Sequence, residues 1–344
     1  MIKVAVDAMG GDHAPNEIIK GAIEALAETP DLFIYLVGQE PKIKKCLSTL
    51  QADDERLEIV PATEVISAND DPGYSMRKKT NSSMVIAQKM VREGKADAIL
   101  SAGNTGALLA GGLLFLERVP GISRPALLTV IPTFSNKGVV ILDVGANMDA
   151  RPAQMVQYAL MGSLYARRVL NYQHPRVGLL NIGSEDNKGN DQAKKTFALL
   201  KERVNSFSGN IESDQVFEGK IEVVVCDGFV GNVFLKTIEG LSVGILDSLK
   251  AEFTSSWINK MGAALLSNAF ISFRNKMDAS EYGGAPLFGV KSVCIKCHGA
   301  SRSKAIKMAL TGQTYLLVKN QVNKEIEKTL KEANCSREGF NKNE

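Results

Sequence analysis

The chain has 344 residues, of which 44% are hydrophobic and 23% are charged, and its formal net charge is +3. These values describe a globular protein large enough to bury a substantial core, and they exclude a disordered chain. So small a positive charge does not favour nucleic acid as a partner. Five cysteines in a chain of this length argue against a disulfide framework.

The first quarter of the chain alternates strand and helix patterns. Its predicted elements are a strand at 2–7, a helix from Asn16, a strand at 32–37, a helix at 41–50, a strand at 57–60, a polar stretch at 68–83 and a helix at 84–92. The first strand starts at the N-terminus without a signal-peptide pattern, so we expect a cytoplasmic protein.

Residues 98–116 form the clearest candidate for a binding site. The apolar run 98–100 predicts a buried strand, 101–106 a tight polar turn and 107–116 a packed helix. Such a turn directs backbone N–H groups and the helix dipole at one spot, which suits a phosphate. The same nineteen residues carry no charge, as a membrane span would. The polar turn at their centre argues against a span, because lipid does not tolerate irregular backbone.

The rest of the chain repeats this pattern. Its predicted elements are apolar strands at 126–131 and 139–144, a helix at 153–170, strands at 177–182 and 221–226, a helix at 233–249, a Gly-rich segment at 282–290, a strand at 292–297 and a helix at 303–330. Repeated strand, polar turn and helix predict an α/β fold, a Rossmann-like layered fold with a mostly parallel sheet.

Five polar turns rich in Gly or Asn follow the predicted strands, at 7–13, 101–106, 145–147, 183–189 and 227–232. Parallel sheets bind their ligands at the carboxyl ends of the strands. We therefore expect the five turns to converge on one edge of the sheet. There they would hold an anion by backbone amides, Asn side chains and a few cations.

Two other motifs point to different chemistry. Residues 294–298 match C-x-x-C-H, which is typical of haem attachment or a redox pair, but an alternating strand at 292–297 also explains both thiols. A zinc site would need a second pair of ligands. Residues 240–244 match the G-x-S-x-G elbow of serine hydrolases, yet that motif needs a strand before Ser242, and 233–249 has the pattern of a helix.

Six sequence blocks carry a resemblance to a known family. They are DAMGGDHAP at 7–15, SAGNTGA at 101–107, LDVGAN at 142–147, NIGSEDNKG at 181–189, CDGFVGNVFLKTIEG at 226–240 and YGGAPLFGV at 282–290. In this order they resemble the phosphate acyltransferases of bacterial phospholipid synthesis, over residues 2 to about 321. Phe234 stands where that family commonly has Thr, and Thr80 where it commonly has a basic residue. These departures would alter the pocket wall and weaken the basic loop.

The resemblance implies acyl transfer from acyl-acyl-carrier-protein to inorganic phosphate. The acyl phosphate formed would pass to a membrane enzyme that acylates glycerol 3-phosphate. The resemblance also implies a fold similar to the phosphotransacetylase and isocitrate dehydrogenase-like group, with a protruding helical pair. The expected partners are acyl carrier protein, inorganic phosphate, a second copy of the chain, the membrane surface and that membrane acyltransferase. No cofactor, metal or nucleotide is expected.

With this resemblance, individual residues receive expected roles. Lys188 would place its charge on the phosphate or on the leaving thiolate, and Asn232 would donate to the thioester carbonyl. His13 or Asp7 would orient the phosphate. The residues expected to cradle phosphate and substrate are Ser101, Gly103, Asn104, Thr105, Gly106, Asn147, Gly228 and Gly231.

Two surface features have expected partners. Acyl carrier protein is acidic, so a basic cluster is the candidate docking site. That cluster is Arg77, Lys78 and Lys79. A helix predicted at 253–277 has one broad apolar face, which fits a core or dimer helix and equally an interfacial helix on a membrane. Its candidate membrane-contact residues are Trp257, Ile258, Met261 and Leu265.

We expect one α/β catalytic domain over residues 1–330, with a helical excursion at 230–277 for dimerisation or membrane contact. Residues 331–344 form a charged tail that we expect to be frayed, and the protein would be cytoplasmic and peripherally membrane-associated. Two alternatives stay open. One is a phosphotransacetylase-like transferase that uses acyl-coenzyme A, and the other is a non-catalytic scaffold for lipid enzymes, which would leave the polar turns unexplained.

Overall fold

The computed structural model describes residues 1–135, 138–270 and 283–335. Within these residues the strands are β1 (Ile2–Asp7), β2 (Leu32–Gly38), β3 (Leu57–Pro61), β4 (Ala98–Ser101), β5 (Ala126–Pro132), β6 (Gly138–Leu142), β7 (Val177–Leu180), β8 (Phe207–Ile211), β9 (Val223–Val225), β10 (Ala285–Phe288) and β11 (Val293–Lys296). They form one sheet in the order β3-β2-β1-β4-β11-β10-β5-β6-β9-β7-β8.

Helices pack on both faces of this sheet. They are α1 (Asn16–Glu28), α2 (Glu40–Thr49), α3 (Pro72–Lys78), α4 (Ser83–Arg92), α5 (Thr105–Phe115), α6 (Pro152–Arg168), α7 (Asp191–Arg203), α8 (Gly228–Thr254), α9 (Trp257–Leu265), α10 (Ser303–Met308), α11 (Tyr315–Lys319) and α12 (Val322–Cys335). Alternate residues of β1 enter different clusters, since Val4 and Val6 pack with α1 whereas Ala5 packs with α4. Strands buried on both faces in this way are typical of α/β proteins.

The sheet contains two parallel blocks that run in opposite directions. β3, β2, β1, β4 and β11 are mutually parallel, and so are β6, β9, β7 and β8. Between the blocks, β10 and β5 are antiparallel to each of their neighbours. Three antiparallel steps reverse the second block relative to the first. The sequence patterns predict that the five polar turns follow strands of one direction, and in the structure they do not.

The predicted mostly parallel α/β fold is confirmed, and most predicted elements are present within a residue or two of their expected bounds. The patterns missed two strands, β8 and β10, because β10 lies in the Gly-rich segment 282–290 and β8 is short and partly exposed. The helix predicted at 303–330 is interrupted by a π-helical turn at Ala309–Thr314 and by a break after Lys319.

The single helix predicted at 253–277 is wrong. α8 ends at Thr254, and α9 then starts after Ser256, whose hydroxyl accepts the Asn259 N–H at 3.1 Å. An N-cap of this kind begins a new helix. Residues 271–277 of the predicted helix lie outside the described residues.

Most of α8 is not buried by the residues that the structure describes. Of its 27 residues only Gly228 and Gly231, in the first turn, are buried. The helix is also long and apolar enough to cross a membrane by length and composition. Side chains such as Leu241 and Val243 are more than half exposed, at 63% and 59%. Exposed apolar surface of this extent indicates a protein or membrane contact.

Candidate active site

A cavity of about 520 Å³ lies between β5, the β10–β11 pair and the first half of α8. Thr105, from the first parallel block, and Asn232, from the second, both line it. A twisted sheet rotates each strand by roughly 20–25° relative to the next, which lets strand ends of opposite blocks face the same space. The polar residues of the lining are Thr105, Thr129, Asn232, Lys236, Glu239, Ser242, Lys296, His298 and Ser301.

Lys296 is the buried cation of this cavity. It ends β11 and is only 8% exposed, and its ammonium donates a hydrogen bond to the carbonyl of Cys297. Burial lowers its pKa below that of an ordinary lysine, an effect that the carboxylates of Asp7 and Asp12 oppose. A buried ammonium at the end of a strand is a strong anion-binding group, because little water screens its charge.

His298 and Lys236 present two hydrogen-bond donors side by side. The Ala300 N–H donates to His298 Nδ1 at 3.1 Å, an arrangement that favours the neutral tautomer with its proton on Nε2. That Nε2 lies 3.2 Å from the Lys236 ammonium. Two donors this close cannot satisfy each other, whereas one anionic oxygen could accept from both. Lys236 is also paired with Glu239 at 2.7 Å, on the same helix.

Asp7 organises the polar turn that follows β4. Its Oδ2 accepts the Ser101 hydroxyl at 2.7 Å, and Ser101 Oγ in turn accepts the Gly103 N–H at 3.0 Å. Asp7 is 2% exposed, and burial raises its pKa although several hydrogen bonds oppose the shift. A Cβ on Gly10 would lie 2.7 Å from the Gly103 nitrogen, so the two turns meet this closely only because residue 10 is glycine.

The Asn104 side chain is used by the fold. Its Oδ1 caps α5 by accepting the Ala107 N–H at 2.9 Å, and its Nδ2 donates to three carbonyls of the loop 67–70, each at 3.1 Å. Gly106 is packed against Pro72, where a Cβ would lie 2.6 Å from the ring. Of this turn, Thr105 lines the cavity.

Asn232 reaches the cavity because the start of α8 is packed against the turn 143–147. Gly145 lies beside Asn232, and a Cβ on Gly145 would be in van der Waals contact with the Asn232 side chain at 3.7 Å. A Cβ on Gly231 would lie 1.9 Å from the Asp143 carbonyl, so only glycine fits. This packing orients the Asn232 amide toward the cavity.

Other predicted groups near α8 already have partners. The Gly228 N–H donates to the Asn147 carbonyl at 2.8 Å, and the Gly231 N–H donates to Asp227 as part of the helix start. The Asn147 amide donates to Pro125, Asp143 and Tyr158. These hydrogen bonds therefore hold the start of α8, which carries Asn232. The backbone N–H groups of Gly228 and Gly231 and the side-chain amide of Asn147 are already paired and are not available to a ligand.

Three predicted groups lie away from the cavity lining. Lys188 is in the loop 183–189, with its ammonium 3.6 Å from Glu185, and the adjacent Gly189 lines a second cavity of about 600 Å³ on the other side of α8. His13 lies in the turn before α1, where its carbonyl accepts the Glu17 N–H at 3.2 Å. Arg77 and Lys78 are exposed on α3.

Lys79 is the least available member of the basic cluster. It caps the end of α3, pairs with Asp70 at 2.5 Å and donates to the Val65 carbonyl at 2.9 Å.

Sequence reasoning missed Lys236, Lys296 and His298. The signal was present, because Lys296 ends a strand and the turn that follows it, His298 to Ser301, contains Gly299. This is a sixth polar turn of the same kind as the other five. The C-x-x-C-H interpretation assigned the chemistry of this segment to its two thiols. Both cysteines are buried, however, and burial raises their pKa to about 12, so they are unreactive.

No group of three or more His, Cys, Asp or Glu side chains suited to a metal ion occurs among the described residues. The polar groups of the cavity are mainly cations and hydroxyls, which bind anions.

Solved structures share this fold. A phosphotransacetylase from Streptococcus pyogenes superimposes with a TM-score of 0.63 at 15% identity, covering 92% of this chain and 94% of that chain. The EutD phosphotransacetylase from Staphylococcus aureus gives a TM-score of 0.58 at 14% identity, with coverage of 92% and 94%. Fold and site thus define an α/β protein of the phosphotransacetylase fold with a cationic cleft.

Sequence relatives give the family. A family model described as "Fatty acid synthesis protein" matches residues 2–325. Proteins named phosphate acyltransferase from Brevibacillus brevis and a Geobacillus species are 51% and 50% identical, covering 96% and 89% of this chain and 97% and 92% of theirs. One from Bacillus cereus is 48% identical, with coverage of 93% and 96%. The chain therefore belongs to this family of phosphate acyltransferases.

Proposed function

We propose that this chain transfers a fatty acyl group from the thioester of acyl-acyl-carrier-protein to inorganic phosphate, giving acyl phosphate for phospholipid synthesis. The observation that carries the proposal is the cavity in which Lys236, Lys296 and His298 face Asn232. Membership of the family supports acyl transfer to phosphate.

The chemistry needs positioning more than a protein nucleophile. Phosphate is already an oxyanion, and one of its oxygens forms the new bond to the carbonyl carbon. The C–S bond then breaks, its electron pair leaves on sulfur, and the thiolate takes a proton. A thiol has a pKa of about 8.5, so the thiolate is a fair leaving group. Holding phosphate beside the thioester and stabilising the carbonyl oxyanion supply the catalysis.

Each residue of the cavity has a role in this scheme. Lys236, Lys296 and the Nε2–H of His298 hold the phosphate, with Thr105 at the N-terminus of α5 as a further donor. The Asn232 amide donates to the carbonyl oxygen as charge develops there. Asp7, through Ser101, holds the turn that carries Thr105. Lys188 lies outside this cavity, and its expected role toward the leaving thiolate rests on the sequence resemblance alone.

The first test is thiol release from a 16-carbon acyl-acyl-carrier-protein, with and without inorganic phosphate. We expect release only with phosphate, with acyl phosphate formed in equal amount. Release without phosphate would indicate a hydrolase and turn attention to Ser242. Thiol release from acyl-coenzyme A alone would support the phosphotransacetylase-like alternative. No thiol release from either donor would support the non-catalytic scaffold.

Two features of the protein surface indicate where partners would bind. We propose that the acidic acyl carrier protein docks on the basic cluster, with Arg77 and Lys78 as the members free of the Asp70 pair, and such association weakens with salt. A second copy of the chain would cover the exposed apolar side chains of α8 that line neither cavity, such as Leu241 and Ile245. One catalytic domain over residues 1–330, with 230–277 as its excursion, is part of this proposal.

We also propose that α9 rests on the membrane surface near the acyl-phosphate consumer, as part of a cytoplasmic, peripherally associated protein. No residue of α9 is buried, and Trp257, Ile258, Met261 and Leu265 are 71%, 62%, 60% and 86% exposed. An amphipathic helix with an exposed Trp is typical of an interfacial contact.

Sedimentation with anionic phospholipid vesicles tests this contact. Trp257→Ser and Leu265→Ser together should reduce the vesicle-bound fraction severalfold, because each removes apolar surface from the interface. The control is Tyr74→Ser, at a 65% exposed site on α3, which should bind as the parent does. Equal sedimentation of all three proteins would contradict a direct membrane contact.

A further inference from the structure

The candidate active-site cavity has a large apolar wall that phosphate cannot use. A small, strongly hydrated anion gains nothing from hydrocarbon surface, which would instead desolvate it. The apolar side chains that line the cavity are Leu127, Val130, Ile131, Pro132, Val144, Phe217, Leu235, Ile238, Val243 and Leu246. A cavity with a few cations and a long apolar wall fits a ligand with a polar head and a hydrocarbon chain.

One face of α8 changes along its length from polar to apolar. Lys236, Glu239, Val243 and Leu246 all line the cavity, and their spacings of three and four residues place them on the same side of the helix. At 1.5 Å per residue, the ten steps from Lys236 to Leu246 span about 15 Å. The cations thus lie at one end of an apolar groove along α8.

The other side of the groove is a fixed surface. β5 contributes residues from Leu127 to Pro132, and it is hydrogen-bonded on both sides, to β6 and to β10. Leu235 and Ile238 of α8 pack against the same buried cluster as Leu127 and Ile131. The groove therefore exists before any ligand binds, which favours a chain that must be held extended.

We propose that the acyl chain of the thioester donor lies in this groove, running along α8 from Lys236 toward Leu246, and that Val243 and Leu246 set the longest chain that fits. This assignment rests on the proposed function, since the cations then hold phosphate beside the thioester at the head of the groove. The ligand class is a fatty acyl chain, and the groove is a chain-length determinant.

The second cavity, on the other side of α8, is the competing location. It is also partly apolar, with Leu179, Val230 and Phe234 among its lining residues. Among the described residues that line it, no Lys, Arg or His occurs, and Asp227 brings a negative charge. A chain bound there would leave its thioester away from the cations that hold phosphate.

The test compares donor chain length in two matched variants. Val243→Trp fills the groove, whereas Val233→Trp makes the same change on the same helix at a residue that lines only the second cavity. The two valines are 59% and 53% exposed, so neither substitution disturbs a core. Phosphate-dependent thiol release is measured as kcat/KM for donors of 8, 12 and 16 carbons, and the oligomeric state of each variant is measured alongside.

In the parent protein, kcat/KM should rise with chain length by roughly fourfold for each methylene that is fully buried. Val243→Trp should lose about tenfold or more with the 16-carbon donor and less than about twofold with the 8-carbon donor, because only long chains reach the blocked end. Val233→Trp should keep the parent profile. Leu246→Ala, which removes wall surface without blocking the groove, should lower the 16-carbon value and spare the 8-carbon value.

The outcomes separate this inference from the proposed function. If no donor of any length gives phosphate-dependent release, the proposed function fails. If the parent is active and Val243→Trp reduces all chain lengths equally, the assignment of the groove is wrong while the function stands. If Val233→Trp alone loses the long donors, the chain occupies the second cavity and the inference is overturned.

Discussion

Replacing Lys296 with methionine is expected to lower kcat/KM for phosphate by about 10²–10³-fold, the usual cost of removing one preorganised donor from an active site. Methionine keeps much of the aliphatic stem that is buried in this position and removes the ammonium. Lys296 is 8% exposed and lines the cavity with His298. Water therefore cannot easily take the place of the lost ammonium and stabilise the bound phosphate. Steady-state kinetics with phosphate as the varied substrate measures the loss, and a change below about threefold would exclude Lys296 from phosphate binding.

The pH dependence supplies the control for this result. Burial lowers the pKa of Lys296, so the ammonium loses its proton at a lower pH than an exposed lysine. Activity toward phosphate should therefore fall as pH rises through that lowered value. In Lys296→Arg the guanidinium, whose pKa is about 12 or higher, keeps its charge, so the alkaline fall should move to higher pH even where the altered geometry reduces the rate. If activity falls at the same alkaline pH in Lys296→Arg as in the parent, the fall comes from the titration of another group.

The same assay distinguishes the expected role of Lys188 from the phosphate-binding role of Lys296. A residue that acts on the leaving thiolate affects kcat, whereas a phosphate-binding residue changes KM for phosphate. We expect Lys188→Ala to lower kcat and leave that KM near the parent value. Lys201→Ala serves for comparison, because Lys201 is 67% exposed and pairs with Asp186, close to the loop that carries Lys188.

The sequence located the parts of the site that depend on local structure. Strand, polar turn and helix are local patterns, so the turn after β4 was predicted close to its observed residues. α8 was predicted as a helix, but it begins at Gly228, five residues before the predicted start at 233. Thr105 and Asn232, two of the predicted site residues, both line the cavity. The predicted Asn104 also matters, but as a helix cap that ties α5 to the loop 67–70, because a side-chain amide satisfies backbone groups as readily as ligands.

The parts that could not be predicted depend on strand direction and on partners distant in sequence. β10 lies in a Gly-rich segment without a strand pattern. Its two antiparallel pairings, with β11 and with β5, cancel, so the antiparallel step from β5 to β6 is what reverses the second block. No local periodicity encodes the direction of a neighbouring strand. The contact of Lys236 with His298, 62 residues apart, follows from that topology, so neither residue stood out in the sequence.

Asp143 is the residue whose loss should destabilise the protein most. Its carboxylate is fully buried and accepts five hydrogen bonds. The donors are the backbone N–H groups of Leu127, Gly145, Ala146 and Asn147 and the side-chain amide of Asn147. Asp143→Ala leaves the four backbone N–H groups without this acceptor, while the Asn147 amide keeps Pro125 and Tyr158. The substitution should lower the free energy of unfolding by about 3–5 kcal/mol. Urea denaturation followed by circular dichroism measures this change.

The comparison variants show whether the lost acceptors are the cause. Asp143→Asn keeps one acceptor oxygen and should lie between the parent and Asp143→Ala, while Asp186→Ala, at an exposed ion pair with Lys201, should stay within about 0.5 kcal/mol of the parent. Because the same turn holds Gly145 against Asn232, Asp143→Ala should also lose most activity at temperatures where it is folded. A variant that is destabilised yet fully active would contradict the link between this buried carboxylate and the orientation of Asn232.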